Sequence, residues 1–456
     1  MLKEGGIFTS ISKLYLINQV KGEKKMRKKN FVKVSTIMVM VFLSICVFST
    51  LVSAQTIRIW SFNPSAGSDA LKVIQNEIIP EFEEKHPGVE VKWQGIPYDG
   101  YREKLLTAAA GKDMPDIFLD GSTMSGLFIS KGLAVPITKY IKGWDIWEDF
   151  METARDHATY EGEIYGVPTR MKINPPLYNI EAVKSAGLDI DNLPTTWDDL
   201  LDWGKKLLKI EDNRIVFQGI SSLETPSTRV RVFELLLQQN GGSLLTEDLS
   251  APAFNCEKGL EALNYFIDLY KVTNPIGVAP LTEQLTTNYA VGLEGIALFD
   301  SYNTINKCLL TNQTDILGKS KVGEPLKGPA SDGKALLIMD GDMTFLSSSS
   351  KNPELAIEFI KFFCEPENHL KYVKANKILP LEMSLMNSDY VLNTPLYTEM
   401  MEYSDCGWDL AKIPEYLEMR DKLLDEIDKA IYGKQTPEEA LAKGEKIWIQ
   451  GIEDYR

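Results

Sequence analysis

The sequence predicts an α/β protein built as two blocks joined by extended chain. Three observations predict it. Residues 55–119 read strand, helix, strand, helix, strand with short loops, the order of an open, mostly parallel sheet. Residues 215–271 again set a strand before helices. Between the blocks, Pro168 and the pair Pro175-Pro176 forbid a helix and favour extended chain, which suits a passage from one block to the other.

In residues 55–60, Ile57 and Ile59 alternate with Thr56 and Arg58 as in a half-buried strand. Ser68 or Asp69 caps a helix over 70–85, where Leu71, Ile74, Ile78 and Phe82 fall at helical spacing. Pro87-Gly88 ends it. Residues 89–93 form a strand, 99–110 a helix closed by Gly111, and 115–119 a buried strand. Leu177-Tyr178-Asn179 leads into a short helix that Gly187 stops. Thr196 caps the next helix, with Asp198 and Asp199 in the first turn, where the helix dipole favours acids. Residues 215–220 read as strand, and 231–239 as a helix ended by Asn240-Gly241-Gly242. The helix over 257–271 is amphipathic, with Leu260, Leu263, Phe266, Ile267 and Tyr270 on one side. Residues 335–339 and 344–346 read as two strands separated by Asp340-Gly341-Asp342-Met343, and helices over 355–363, 417–431 and 437–449 complete the chain.

The first 54 residues read as an extension and an export signal. Met26-Arg27-Lys28-Lys29 is a basic start, residues 37–48 are almost wholly apolar, and Val52-Ser53-Ala54-Gln55 offers small residues for cleavage after Ala54. The apolar core is shorter than the ~20 residues a membrane-spanning helix needs. Cys46 follows Ile45, and a lipid-attachment site wants a small residue there, so free export to a periplasm or the outer face of the envelope is expected.

Residues 1–54 hold nine Lys/Arg and two Asp/Glu, which leaves 40 basic against 62 acidic groups in the remainder. That balance argues against nucleic acid and anionic lipid as partners. Cys256, Cys308, Cys364 and Cys406 are widely spaced, and His86, His157 and His369 lie near no Cys or other His. No metal site and no cofactor is therefore expected. Isolated cysteines are expected rather than a disulfide.

Several motifs together resemble one family. Tyr165-Gly166-Val167-Pro168 precedes Leu177-Tyr178-Asn179, Ala186-Gly187-Leu188 and Pro194-Thr195-Thr196-Trp197-Asp198-Asp199-Leu200. Phe82-Glu83-Glu84-Lys85-His86-Pro87-Gly88-Val89 and Ser350-Lys351-Asn352-Pro353-Glu354 add to them. This pattern resembles the sugar-type (family 1) extracellular solute-binding proteins of bacterial ABC importers, maltodextrin-binding proteins among them, although the second Tyr of their "LYYN" is missing. The resemblance implies a two-lobe periplasmic-binding-protein-like fold of type II, with mixed sheets, flanking helices, a ligand cleft between lobes and three hinge crossings. It places lobe 1 at 55–172 and 301–347, and lobe 2 at 173–300 and 348–456. It also implies a monomer that binds a sugar or oligosaccharide, closes on it, and delivers it to membrane permease subunits, with no catalysis.

In open α/β sheets ligands sit beyond the carboxyl ends of the strands. Sugars need aromatic faces and paired polar groups. The candidates on that basis are Asn63, Tyr98, Asp120, Ser122, Arg170, Lys172, Glu224, Asp300, Tyr302, Asp342, Trp408 and Arg420, with Trp60 divided between core and ligand. Trp144 and Trp147 read better as packing than as a sugar platform. Two alternatives stand beside the sugar receptor. A glycerol-phosphate-type ligand would want Arg170, Lys172 and Arg420 to converge. A secreted glycosidase would want two carboxylates facing each other across a cleft.

Overall fold

The computed structural model describes residues 55–281, 287–408, 413 and 416–455. The expected export signal lies outside them. The chain divides into two compact units. The smaller includes Gln55 and His86–Glu90, and the larger holds Thr56–Lys85 and Val91–Arg456. In the smaller, Val89 N donates to His86 O at 3.0 Å across a turn that needs Gly88 at φ +90°. The candidate site belongs wholly to the larger.

One five-stranded sheet runs in the order Val89–Gly95, Gln55–Ser61, Ile117–Gly121, Met339–Leu346, Gly166–Ile173. Gln55–Ser61 and Ile117–Gly121 are parallel, whereas Met339–Leu346 runs antiparallel to both its neighbours. Pro168 is tolerated because its strand is at the sheet edge. The second sheet has the order Ser320–Val322, Leu177–Asn179, Glu294–Ala297, Arg214–Ile220, Lys209–Glu211. Both are mixed, and each carries helices, so the chain has the two-lobe α/β organisation.

The helix starts follow the expected local chemistry. Leu71 N donates to Ser68 Oγ at 3.2 Å, Ala182 N to Asn179 Oδ1 at 3.2 Å, and Asp199 N to Thr196 Oγ1 at 3.3 Å. The second lobe's core gathers the last two of these helices. Trp197 stacks on Tyr265 at 4.6 Å, and Phe254 meets Trp448 edge-on at 5.4 Å.

Three expectations need correction. Residues 339–346 form one continuous strand, not two strands around a turn. The segment 301–347 is not wholly of the first lobe: Asn306 Nδ2 donates to Asn376 O at 2.9 Å, but Ser320–Val322 pairs with Leu177–Asn179 of the second sheet. Nor does the chain leave the first lobe after 347. Phe359 and Phe362 of helix Pro353–Phe363 pack on Phe82 at 5.0 and 5.4 Å, and Lys371 pairs with Glu81 at 2.7 Å. Trp408 is the point at which the chain rejoins the second core.

The chain therefore passes between the sheets after Ile173, before Met339 and before Trp408. These passages are bonded to one another. Asn174 Nδ2 donates to Ile338 O at 2.9 Å, Leu337 N to Cys406 O at 2.8 Å, and Trp408 Nε1 to Met339 O at 2.9 Å. The four cysteines of the described residues are free, Cys308 and Cys364 buried and Cys256 exposed.

Candidate functional site

The site is built on the antiparallel pairing of Met339–Leu346 with Gly166–Ile173. Asp340 lies opposite Lys172, and Asp342 opposite Arg170. Residues two apart on a strand share a face, so two acids on one strand meet two cations on the next. Lys172 Nζ is 2.8 Å from Asp340 Oδ1, and Arg170 Nη2 is 2.8 Å from Asp342 Oδ2. Gly341 between the acids is a close approach. A Cβ there would lie 1.9 Å from Arg170 O. A register shift between Asp342 and Met343 marks the end of the paired charges.

Other side chains join this ladder. Asn63 Nδ2 donates to Asp342 Oδ2 at 2.9 Å. The backbone N–H of Gly341 donates to Ser122 Oγ at 3.4 Å. One strand further along, buried Asp120 is held by Arg102 through two bonds of 2.9 and 3.2 Å. Burial pushes the Asp120 carboxyl up, and Arg102 opposes that. Arg102 also lies 5.5 Å over the ring of Tyr98, which is 61% exposed and packs edge-on against Phe62 at 5.3 Å. Tyr98 thus offers an open aromatic face beside charged groups.

The second lobe supplies Arg231. Its Nη1 pairs with Asp340 Oδ2, across from Lys172 on the other oxygen. Burial pulls Asp340 upward, but Lys172 and Arg231 overcome it and hold the carboxyl well below the usual range. Asp300 adjoins Lys172 and Arg231 electrostatically, and Asn303 Nδ2 donates to it at 2.7 Å. On the helix of Arg231, buried Glu234 takes the Tyr416 hydroxyl on both carboxylate oxygens, at 2.8 and 2.6 Å. Burial pushes Glu234 up to about 7 against Tyr416, Arg420 and Arg231. Arg420 bonds its neighbour Asp421 and lies 5.9 Å from the Tyr416 ring.

The structure thus brings Asn63, Ser122, Arg170, Lys172 and Asp342 into one network, with Asp120 and Tyr98 joined through Arg102 and Asp300 adjoining. Three expectations differ. Trp408 is 2% exposed, and its indole is spent on the passage at Met339 O, so it is a structural residue. Tyr302 is 2% exposed, with its backbone N–H on Asn174 Oδ1 at 3.1 Å, so its ring lines no open surface. Glu224 is exposed elsewhere on the second lobe, in a groove of about 330 Å³ with Arg229, Tyr270 and Tyr432. Trp60 lies under Lys104 at 4.4 Å, on the helix side of its strand. Trp144 and Trp147 pack edge-on against Phe150 at 5.9 and 6.1 Å.

Reading residue types along the chain missed Phe62, Arg102, Arg231 and Glu234. A signal existed for two of these. Arg231 and Glu234 are three apart in the helix Pro226–Gln239, a spacing that places them on one helix face.

A family model for bacterial extracellular solute-binding proteins matches residues 67–369. The chain belongs to that family. Among its relatives, a diacetylchitobiose binding protein from Streptomyces coelicolor is 23% identical over 74% of this chain and 75% of its own. A solute-binding protein of an ABC transporter from Thermotoga lettingae, solved with α-D-tagatose, is 25% identical with a TM-score of 0.70, covering 87% of this chain and all of its own. The cyclic α-maltosyl-1,6-maltose binding protein of Arthrobacter globiformis has the same TM-score at 21% identity, over 88% of this chain and 99% of its own. This solute-binding protein therefore carries its charged ladder on a fold shared with carbohydrate-binding relatives. Among its described residues no helix is long and apolar enough to cross a membrane.

Proposed function

We propose that this protein captures an uncharged sugar or short oligosaccharide between its lobes, closes on it, and presents it to the permease subunits of an ABC importer. One observation carries the uncharged part of this reading. Lys172 pairs with Asp340, Arg170 with Asp342 and Arg231 shares Asp340, so each cation of the ladder already has a carboxylate partner. A phosphate needs cations free to pair with it. Vicinal hydroxyls need neighbouring donors and acceptors, which a ladder of ion pairs supplies. The open ring of Tyr98 is suited to the C–H face of a pyranose. The relatives named above bind diacetylchitobiose, tagatose and a cyclic maltosyl-maltose, which supports a carbohydrate.

Binding without turnover fits Glu234. A glycosidase needs a protonated acid poised over the scissile bond, and Glu234 has the raised acid, but it is buried and both its oxygens are engaged by Tyr416. Export rests on the basic and apolar run before Ala54.

The test is a thermal-shift screen of residues 55–456 against diacetylchitobiose, tagatose, maltotetraose and glycerol phosphate. A ligand specific to the folded state at a hundredfold excess over Kd adds about 2.7 kcal/mol. A shift with a sugar, recovered intact by chromatography, is expected. A shift with glycerol phosphate alone discards the uncharged ligand, and recovery of cleaved sugar discards the receptor.

A further inference from the structure

Arg231 belongs to one lobe and grips the other. Its helix, Pro226–Gln239, is rooted in the second core by Val232, Phe233, Leu235 and Leu236, all buried. Asp340 belongs to the first sheet, two residues past Ile338 of the passage. The other ion pairs of the ladder, Lys172–Asp340 and Arg170–Asp342, join strands within one sheet and move as one body. The pair Arg231–Asp340 joins two bodies and is shielded, with side-chain exposures of 15 and 13%.

We propose that Arg231 is a positioning residue that holds the second lobe against the first-lobe ladder, and so populates the closed arrangement before ligand arrives. This rests on the lobe-closure reading above. If the lobes part, Lys172 stays beside Asp340, because both sit on paired strands of one sheet. Arg231 leaves with its helix. The pair therefore contributes to the closed arrangement and not to the open one, and only a differential contact shifts such an equilibrium. Apparent affinity scales with the fraction already competent to bind. Loss of the pair that lowers the closed fraction tenfold raises apparent Kd by about tenfold.

The experiment is small-angle scattering of the ligand-free protein, which uses no ligand and so stands whether or not a sugar is found. Wild type, Arg231→Gln, Arg231→Lys, Asp340→Asn and the double variant Arg231→Gln/Asp340→Asn are compared. Circular dichroism first verifies that each is folded. Arg231→Gln and Asp340→Asn are expected to raise the radius of gyration, the double variant no further than either alone, and Arg231→Lys to restore compaction in part. Kd for diacetylchitobiose, or for whichever screened sugar binds, is expected to rise about tenfold in Arg231→Gln. Ligand-free scattering of Arg231→Gln identical to wild type overturns the proposal. So does Arg231→Lys as expanded as Arg231→Gln, since charge would then be irrelevant. Failure of every sugar to bind the wild type counts against the proposed function and leaves the scattering result to decide the role of Arg231.

Discussion

Asp340 and Glu234 are both buried carboxyls, one on the first sheet and one in the second lobe, held in opposite states. Burial raises the pKa of each. At Asp340 two cations in direct contact, Lys172 and Arg231, outweigh it. At Glu234 the direct partner is a neutral phenol, Tyr416, and burial prevails. Glu294, also in the second lobe, repeats the second case: burial lifts it to about 7 despite a 2.6 Å bond from Ser221 Oγ. What separates them is the pair of cations touching Asp340; at Asp120 the single guanidinium of Arg102 does not outweigh burial.

The larger effect is expected at Asp340. Asp340→Ala leaves Lys172 and Arg231 without their carboxylate, and removal of one partner from a buried pair typically costs about 3–5 kcal/mol. Urea denaturation is expected to show a loss of that order, with Glu234→Gln far milder at pH 7. A result in which Asp340→Ala is as mild as Glu234→Gln would show the ladder charges to be solvated.

The two kinds of carboxyl respond oppositely to pH. Glu234 and Glu294 sit near 7 in the folded chain against 4.5 ordinarily, so their protonated forms favour folding. That stability is full below about 4.5 and is lost as pH rises through 7, by up to about 3 kcal/mol for each at 1.36 kcal/mol per unit. Asp340 is depressed, so its contribution is present above its ordinary value of 3.8 and fades only in stronger acid. His369, buried between Glu382 at 2.6 Å and Thr169 O at 3.1 Å, has a raised pKa and adds to the alkaline loss. Melting temperatures between pH 5 and 8.5 are expected to fall, and the double variant Glu234→Gln/Glu294→Gln to flatten that slope. An unchanged slope would place the two acids in contact with solvent.

Gly341→Ala tests how closely the ladder strands approach. Its methyl would meet Arg170 O, and the crowding is expected to cost about 1–3 kcal/mol in chemical denaturation. At the small end stands the surface pair Glu418–Lys422, both more than half exposed. Lys422→Ala is expected to change stability by about 0.5 kcal/mol or less. A larger effect there would show an exposed pair to be as strong as the shielded ones.

Much of the fold was legible because its signals are local. Ser68, Asn179 and Thr196 cap the helices they precede, and Pro168 lies where an edge strand admits it. The strand Met339–Leu346 was not legible. Asp340-Gly341-Asp342 reads as a turn by composition, and it is a strand because Lys172 and Arg170, far away in sequence, neutralise both acids. Glu224 and Arg231 lie seven residues apart, and sequence reading chose the former. The fold turns Glu224 to an outer groove and Arg231 toward Asp340.

By itself the sequence determined the capped helix starts at Ser68 and Thr196, the extended passage at Pro175-Pro176, the two α/β blocks and the family pattern. Each is set by the preference of a residue and its near neighbours, or by an order of elements read directly along the chain. Only the tertiary structure decided which block each late segment joins, and which charges meet. Those outcomes depend on pairing between residues as far apart as Asn63 and Asp342, whose carboxylate and amide stand 2.9 Å from each other. A contact between distant segments leaves no trace in either segment alone, so charge partners are fixed only when the sheets assemble.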